Sequence, residues 1–368
     1  MRDSDLDYLK KYLDSDKLDD GIELLKKGIS PQYIVGNVCF YGNTIEVNNN
    51  VLIPRFETEL LVEKTVKLIN ITHKPCRVFV DDIILTIHAG RLIAETKSKD
   101  GTLSKDEIQW MQDNTLSDAT GDNISELNRF YNEMTAIYWA WKNYDKIGNP
   151  EIFGCMHYRR HFILKDKLSI TGEYLDDLGL TADNITNIMK EYELITPKFM
   201  TMKGSTFIEK IGKELCILGG DKMKEAMSLC LDIIKDIHPK DYNEMQCILR
   251  GHNTGSFCNM FIMKKDLFFE YCNWIFPILF ELDNRLGRNY EKGQERCVGW
   301  ASEMLSSMFI YMKSKSIPHK EVLVFNQSPE TIKSYYQIIK YKVKQFFQKG
   351  KKNNKYINYI YNYELFNK

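Results

Sequence analysis

The sequence has 368 residues, too many for one ordinary hydrophobic core, and this length predicts two structural units. Lys and Arg together number 50, as do Asp and Glu, and a net charge of zero argues against a uniformly basic nucleic-acid-binding protein. The nine cysteines have no CxxC pair, and the first residues, MRDSDLDYLKK, lack an apolar stretch. These features predict a cytoplasmic protein with reduced thiols and no structural zinc. The longest apolar run, near Trp274–Phe280, is shorter than the roughly 20 residues of a membrane helix.

Residues 1–66 predict a small module of helices and a β-hairpin. Apolar residues recur at helical spacing over Ser4–Lys27. Short runs with β character follow at Tyr33–Val35, Val38–Tyr41, Thr44–Val47 and Val51–Ile53. Pro54 ends the last run, and Glu57–Val66 has the acidic first turn of a helix.

The segment SPQYIVGNVCFYGNTIEVNNNVLIPRFETELLVE resembles the part of release-factor glutamine methyltransferases that joins their helical N-terminal domain to the catalytic domain. Phe56 differs, because that family usually has proline there. The family continues with a Gly-rich turn that holds S-adenosylmethionine and, later, an Asn-Pro-Pro-Tyr loop. No GxGxG follows Ile71 and no NPPY occurs in the sequence. Because the cofactor needs the backbone N–H groups of such a turn, residues 1–66 are interpreted as a truncated methyltransferase-like segment rather than an active methyltransferase.

The next predicted element is a buried strand at Lys67–Thr72. Thr72, His73 and Lys74 lie at its carboxyl end, where open α/β sheets bind ligands, so these residues are candidates for a nucleotide contact. A polar loop that merely ends the strand explains the same residues equally well.

A long helix is predicted at Ile124–Tyr144, capped by Asn123 or Ser125 and with aromatic residues at a spacing of three to four. Glu133 lies in its middle. It is either a surface acid or a buried group that pairs with an arginine.

A strand is predicted at Ile152–Leu164, and it contains the five polar residues HYRRH in an otherwise apolar run. Alternation would place His157, Arg159 and His161 on one face, with Arg160 on the other. Buried guanidinium groups need an anion, which favours binding of a phosphate over a structural network of ion pairs. A metal site at His157 and His161 is disfavoured, because four residues of strand span roughly 13 Å.

The last predicted elements are two strands and two helices, at Tyr192–Pro197, Phe257–Met263, Lys264–Leu286 and Arg296–Tyr311. Asn259 is the lone polar residue within the second of these strands. Glu303 lies near the start of the last helix, where it is either a capping acid or a base that faces a site.

Residues from about 67 to 325 resemble a bacterial family known as domain of unknown function 4422. The motifs that carry the resemblance are THKPC, GDNISELNRFYNEMTAIYWAWKN, HYRRHFIL, ELITPK, FCNMFIMKKDLF and GWASEML. The family is similar to glycosyltransferases of capsular and O-antigen polysaccharide assembly, and some members are linked with transfer of galactofuranose or galactose. The resemblance implies an α/β fold, a GT-A-like nucleotide-sugar-binding sandwich over residues 67–330, with the helix-plus-β-hairpin segment as an appendage. A UDP-sugar is the expected donor.

Most GT-A enzymes hold Mg²⁺ or Mn²⁺ on the donor diphosphate with an Asp-x-Asp pair, whereas this sequence has HYRR at the equivalent strand end. Arginine binds phosphate through two parallel hydrogen bonds, so Arg159 and Arg160, with His157, are expected to neutralise the diphosphate without a metal. The doublet Asp81–Asp82 is the feature that would support a metal instead. Further expected donor-binding residues are Asp122, Asn123 and Asn259. Glu303 is the first candidate for the catalytic base, with Asp283 and Glu133 behind it.

Residues 331–368 contain nine Lys and one Glu among many aromatic residues, a charge of +8. This tail suits the inner face of the plasma membrane and a lipid-linked glycan acceptor, and it equally suits a solvated terminal helix. The sequence therefore predicts a glycosyltransferase of surface polysaccharide assembly. A release-factor methyltransferase and a non-catalytic binding protein are the alternatives.

Overall fold

The structure is a computed structural model that describes residues 3–40, 43–53, 65–79, 83–97, 101–165, 174–201, 221–252, 254–288, 290 and 294–326. The chain divides into two compact units, residues 1–64 and 65–368. The predicted tail and most of the helix predicted at Glu57–Val66 lie outside the described residues. None of the helices within the described ranges is long and apolar enough to cross a membrane.

Within its described residues, the first unit contains three helices and a hairpin. Helices α1, α2 and α3 span Asp3–Tyr12, Leu18–Lys26 and Pro31–Val35, and strands β1 and β2 span Asn37–Phe40 and Asn43–Glu46. Leu9 and Leu25 form its buried centre. A hairpin is present as predicted, but β1 pairs with β2, and the strand predicted at Val51–Ile53 after a turn at Asn48–Asn50 was wrong. Tyr33–Val35 is helical, because Pro31 fits the first turn of a helix and Gly36, at φ 80°, ends it.

The second unit is built on an eight-stranded mixed sheet. Its parallel part contains β3 (Val66–Thr72), β4 (Ile84–His88), β5 (Leu116–Ser117) and β6 (Ile152–His157), in the order β5-β4-β3-β6. The β3 sequence VKLINIT is apolar on both faces, which is typical of a covered parallel strand. The predicted strand is therefore confirmed, with Val66 as its first residue rather than the last of a helix.

The remaining strands extend the sheet beyond β6. They are β7 (Arg160–Ile163), β8 (Leu194–Pro197), β11 (Phe261–Lys264) and β12 (His319–Asn326). Strand β12 lies between β7 and β8, and β11 pairs antiparallel with both β6 and β8. A separate two-stranded pairing joins β9 (Met200–Thr201) to β10 (Thr254–Gly255).

Helices of the second unit within the described residues follow and flank these strands. They are α4 (Lys105–Asn114), α5 (Asn128–Tyr131), α6 (Met134–Lys142), α7 (Tyr174–Leu178), α8 (Ala182–Glu191), α9 (Asp221–Ile237), α10 (Tyr242–Gly251), α11 (Lys265–Leu286) and α12 (Cys297–Ser314). The predicted helices at α11 and α12 are confirmed. Both are buried along most of their length, and the ring of Phe268 on α11 packs 4.1 Å from that of Phe153 on β6.

Two predicted elements are interrupted. The strand expected at Ile152–Leu164 is a hairpin, in which β6 turns at Tyr158–Arg159 and His157 pairs with Arg160. The face assignment based on a continuous strand was therefore wrong. The helix expected at Ile124–Tyr144 breaks between α5 and α6, because Asn132 has φ 52°.

Candidate active site

Four basic side chains lie at the carboxyl ends of β3 and β6: His73, Lys74, Arg159 and Arg160. We call them the cationic cluster. The ring of Tyr158 joins three of them: the His73 ring centroid lies 5.4 Å away, the Lys74 Nζ 5.9 Å and the Arg159 Cζ 4.8 Å. The hairpin thus brings Arg159 beside the loop that follows β3, although 84 residues of chain (159 − 75) separate them. Concentrated positive charge at the carboxyl ends of parallel strands suits an anionic ligand.

Thr72 shapes the loop that carries His73 and Lys74. Its side chain is buried, its Oγ1 donates to the Lys74 carbonyl oxygen at 2.5 Å, and the Lys74 N–H donates back to it at 3.2 Å. Such a local turn fixes the direction in which the chain leaves β3. In this structure Thr72 therefore orients the loop from inside the protein.

Two carboxylates, Glu133 and Glu303, form the second part of the site, and we call them the carboxylate pair. Glu133 lies at the break between α5 and α6, and Glu303 lies in the second turn of α12; both are half-buried. The Cys258 N–H donates to Glu303 Oε2 at 3.3 Å. Burial and the negative charge of Glu133 raise the pKa of Glu303 to about 7, although Arg160 pulls it the other way.

The segment before β11 connects the carboxylate pair to the hairpin. Cys258 and Asn259 have φ values of 78° and 48°, in the left-handed region that non-glycine residues rarely adopt. This conformation directs the Cys258 N–H to Glu303 and the Cys258 carbonyl oxygen to the Nε2–H of His157. Residues 258 and 259 precede β11, so the prediction of Asn259 within a strand was wrong.

His157 bonds to the segment before β11. Burial lowers its pKa, and its Nε2–H donates to the Cys258 carbonyl oxygen. Both features disfavour a positive charge on His157, and its contact with a diphosphate stays a prediction. The permanent positive charge nearby comes from Lys74, Arg159 and Arg160.

One face of helix α12, which carries small and polar side chains, lies toward this site. Gly299, Ser302, Glu303 and Ser306 recur at the spacing of one helix face. A Cβ on Gly299 would lie 1.9 Å from the Asn132 amide nitrogen, so glycine allows the Asn132–Glu133 break to approach the helix. Arg296, at the start of α12, donates to Asn132 Oδ1 at 2.7 Å and also lowers the pKa of Glu303.

The other predicted site residues have different surroundings. Asp283, the second candidate base, is held by Arg288 at 2.7 Å and by the Tyr131 hydroxyl at 3.3 Å, which are partners outside the carboxylate pair. Asp122 accepts from the Tyr138 hydroxyl at 3.1 Å, and Asn123 bonds to the Gly121 carbonyl oxygen at 2.9 Å. These contacts are those of an ion pair and of a turn packed on α6.

Asp118 is a buried acid that the sequence did not single out. It is fully buried and accepts from the Gly90 and Arg91 N–H groups and from the hydroxyls of Ser125 and Thr135. It connects the loops that follow β4 and β5. A sequence signal was present in the cluster of turn residues around DATGD, but the partner loop at Gly90 could not be found from it.

Within the described ranges, no group of three or more His, Cys, Asp or Glu side chains is arranged to hold a metal ion. The doublet Asp81–Asp82 lies outside those ranges. A reaction without a metal therefore stays a prediction.

The mixed sheet and its helices define an α/β protein, with polar side chains at the carboxyl ends of its parallel strands. The chain belongs to the DUF4422 family, a domain of unknown function, whose model matches residues 67–316. A solved structure of the bifunctional glycosyltransferase WbbM, without ligand, is similar to it with a TM-score of 0.59 and 26% sequence identity. The similarity covers 72% of this chain and 45% of WbbM.

The N-terminal segment has a different relative. It is 51% identical over 41 residues to the release factor glutamine methyltransferase of Bacillus subtilis (strain 168). That match covers 11% of this chain and 14% of the methyltransferase. Both resemblances inferred from the sequence are thereby confirmed, and the chain spans less than half the length of either of these two proteins.

Proposed function

We propose that this protein is a glycosyltransferase that moves a sugar, galactofuranose or galactose, from a nucleotide-sugar donor to a growing surface polysaccharide. The observation that carries the proposal is the position of Glu303, a half-buried carboxylate beside the basic hairpin at the strand ends. Sugar transfer needs both a base and a site for the departing diphosphate. The likeness to WbbM supports the same assignment, together with a GT-A-like arrangement of the second unit.

Glu303 is the base in this proposal. Its carboxylate takes the proton of an acceptor hydroxyl while that oxygen forms a bond to the anomeric carbon of the sugar. The bond from that carbon to the nucleoside diphosphate breaks, and the diphosphate leaves with the electron pair. A base whose pKa lies near the working pH is well suited to this step.

The cationic cluster compensates for the charge of the diphosphate. Arg159 and Arg160 are the principal contacts, since a guanidinium stays charged and bonds two phosphate oxygens at once. His73 and Lys74 contribute from the loop after β3, and His157 acts through Cys258 rather than by charge. Asp122 and Asn123 are proposed to contact the donor farther from the diphosphate, with UDP as the nucleotide. No divalent metal is required in this scheme.

The acceptor is proposed to be a polysaccharide or lipid-linked glycan at the cytoplasmic side of the plasma membrane. The basic tail at residues 331–368 would hold the enzyme there, by about 1 kcal/mol for each lysine near an anionic surface. Removing Thr331–Lys368 should release the protein from vesicles that contain phosphatidylserine. Equal binding of the full and shortened chains would contradict this role of the tail.

A thermal-shift screen tests the proposed function. The purified chain is heated with UDP, GDP, CMP and dTDP sugars in EDTA and then with Mn²⁺, and a UDP-sugar in EDTA is expected to raise the melting temperature. A ligand at 100 times its dissociation constant stabilises the fold by about 2.7 kcal/mol. Stabilisation that needs Mn²⁺ would contradict the role of the guanidinium groups. Stabilisation by S-adenosylmethionine instead of any nucleotide sugar would contradict the proposed function.

A further inference from the structure

The side chain of Asn259 is enclosed by the protein and fully engaged. It is 2% exposed, its Nδ2 donates to Glu133 Oε1 at 2.9 Å and to Ser302 Oγ at 3.0 Å, and its Oδ1 accepts from Ser306 Oγ at 2.6 Å. Both amide hydrogens and the carbonyl oxygen thus have protein partners. This geometry suits a residue that holds another side chain better than one that contacts a sugar.

A relay of buried hydroxyl groups fixes the orientation of that amide. The Tyr271 hydroxyl lies 2.7 Å from Ser306 Oγ, and since Ser306 donates to Asn259 it accepts from Tyr271. Ser302 Oγ donates to the Gly299 carbonyl oxygen at 2.7 Å, which leaves it to accept from Asn259. The Asn259 N–H group is therefore the one that faces Glu133.

Glu133 in turn raises the pKa of Glu303 through its negative charge. The charged groups that influence Glu303 are Glu133 at the α5–α6 break, Arg160 on β7 and Arg296 at the start of α12. His157 on β6 reaches it through the Cys258 peptide. Of these groups, Glu133 opposes ionisation of Glu303, and Asn259 is the hydrogen-bond donor that holds its carboxylate.

We propose that Asn259 is a positioning residue: with the relay of Tyr271 and Ser306 behind it, it fixes the Glu133 carboxylate beside Glu303 and so sets the pH at which Glu303 ionises. The consequence for sugar transfer rests on the proposed function. The positioning itself does not, and it can be measured without any substrate.

The direction in which the ionisation midpoint of Glu303 should shift follows from charge repulsion. Without the Asn259 amide, the Glu133 carboxylate loses the donor that holds it, so it moves away from Glu303 and repels a charged Glu303 less. The ionisation midpoint of Glu303 should then fall. Loss of a nearby like charge is expected to lower it by about one pH unit.

The test is a titration of the glutamate side-chain carboxyl groups by ¹³C NMR, with the Glu303 signal assigned by its absence in Glu303→Gln. Asn259→Gly removes the side-chain amide, and glycine tolerates the φ of 48° at this position. It should lower the midpoint by about one pH unit, as should Glu133→Gln. Asn259→Gly combined with Glu133→Gln should shift it no further than Glu133→Gln by itself.

Ser306→Ala is the milder variant, and Ser307→Ala is its matched control. Both serines are buried on α12, but the Ser307 hydroxyl has no hydrogen-bond partner within the part of the chain that the structure describes. Ser306→Ala should lower the midpoint by about half a unit, and Ser307→Ala should leave it unchanged. Circular dichroism confirms that each variant is folded.

An unchanged Glu303 midpoint in folded Ser306→Ala and Asn259→Gly would overturn the proposal, as would equal shifts in Ser306→Ala and Ser307→Ala. A wrong assignment of the proposed function would give a different result. In that case the midpoints would move as expected, but no nucleotide sugar would be cleaved by the wild-type protein.

Discussion

Asp118 and Glu303 are two carboxylic acids enclosed by the same unit, but the groups that surround them differ. Asp118 is fully buried and receives hydrogen bonds from two backbone N–H groups and two hydroxyls within the described residues. Glu303 is half-buried, accepts the Cys258 N–H at a long 3.3 Å, and has a second carboxylate as its neighbour. The carboxylate of Asp118 has four hydrogen-bond donors around it, whereas that of Glu303 is held where its charge is costly.

This difference separates a structural acid from a reactive one. Four donors around a carboxylate stabilise the folded protein, since each would be unpaired without it. A carboxylate with a raised pKa instead remains able to take a proton near neutral pH. Replacement of Asp118 should therefore change the stability of the protein, and replacement of Glu303 should change its turnover.

The largest expected effect is on turnover in Glu303→Gln. The variant cannot accept a proton, so kcat should fall by roughly 10²- to 10⁴-fold. Its melting temperature should be unchanged or higher, because a neutral amide avoids the repulsion from Glu133. Release of nucleoside diphosphate measures the rate, with the exposed Glu191→Gln as control. A variant that turns over at nearly the wild-type rate would remove Glu303 from the role of base.

The pH dependence of the wild-type protein should show the raised pKa directly. The base works when ionised, so kcat/KM should rise about tenfold per pH unit below pH 7 and level off above it. Between pH 5 and pH 9 this predicts an increase of roughly 100-fold. A profile that is already flat at pH 5.5 would indicate an acid of ordinary pKa.

Asp118→Asn should mainly affect stability. The amide group replaces one acceptor oxygen with a donor, which leaves N–H or hydroxyl groups of the β4 loop and α6 without a partner. A loss of about 2 kcal/mol in the free energy of unfolding is expected. Urea denaturation measures it, and the exposed Asp113→Asn serves as control. Equal stability of both variants would contradict the structural role of Asp118.

Arg160→Gln should have a smaller effect, which should appear both in the KM for the donor and in the pH profile. Loss of a diphosphate contact should raise the KM for the donor about tenfold, as expected when one charge-assisted hydrogen bond is lost. Arg160 also lowers the pKa of Glu303, so the acidic limb of the pH profile should move to higher pH, opposite to the shift expected for Asn259→Gly. Initial rates across pH 5 to 9 test both parts. A limb that stays in place would place Arg160 away from Glu303.

The sequence predicted the parts of the fold that depend on long apolar runs. Strand β3 and helices α11 and α12 were found because more than half of their positions are buried, which leaves a clear apolar pattern. The turn at Tyr158–Arg159 was missed because it contains no Gly, Pro, Asn or Asp and is flanked by residues typical of strands. The break at Asn132 was missed because the apolar residues on both sides of it keep the spacing of one continuous helix.

The candidate site was predicted only in parts. Thr72, His73 and Lys74 were candidates because they lie at the end of a predicted strand. Arg159 and Arg160 were candidates because guanidinium groups inside an apolar strand need an anion. The contact of these residues with a donor stays a prediction.

Glu303 and Glu133 were each named as candidate bases, but their pairing was not predicted. They are 170 positions apart (303 − 133) and bond to the neighbouring residues Cys258 and Asn259, whose backbone is left-handed. The spacing Gly299-x-x-Ser302-Glu303-x-x-Ser306 was a usable signal for a polar face on an apolar helix.

The most direct test of sugar transfer with Glu303 as base is the release of UDP from UDP-galactofuranose and UDP-galactose in the presence of EDTA. Wild-type protein and Glu303→Gln are compared at pH 8, with a lipid-linked glycan acceptor. We expect release by the wild-type protein and at least a 100-fold lower rate in the variant. No release by the wild-type protein with any nucleotide sugar, or equal release by both proteins, would contradict the account.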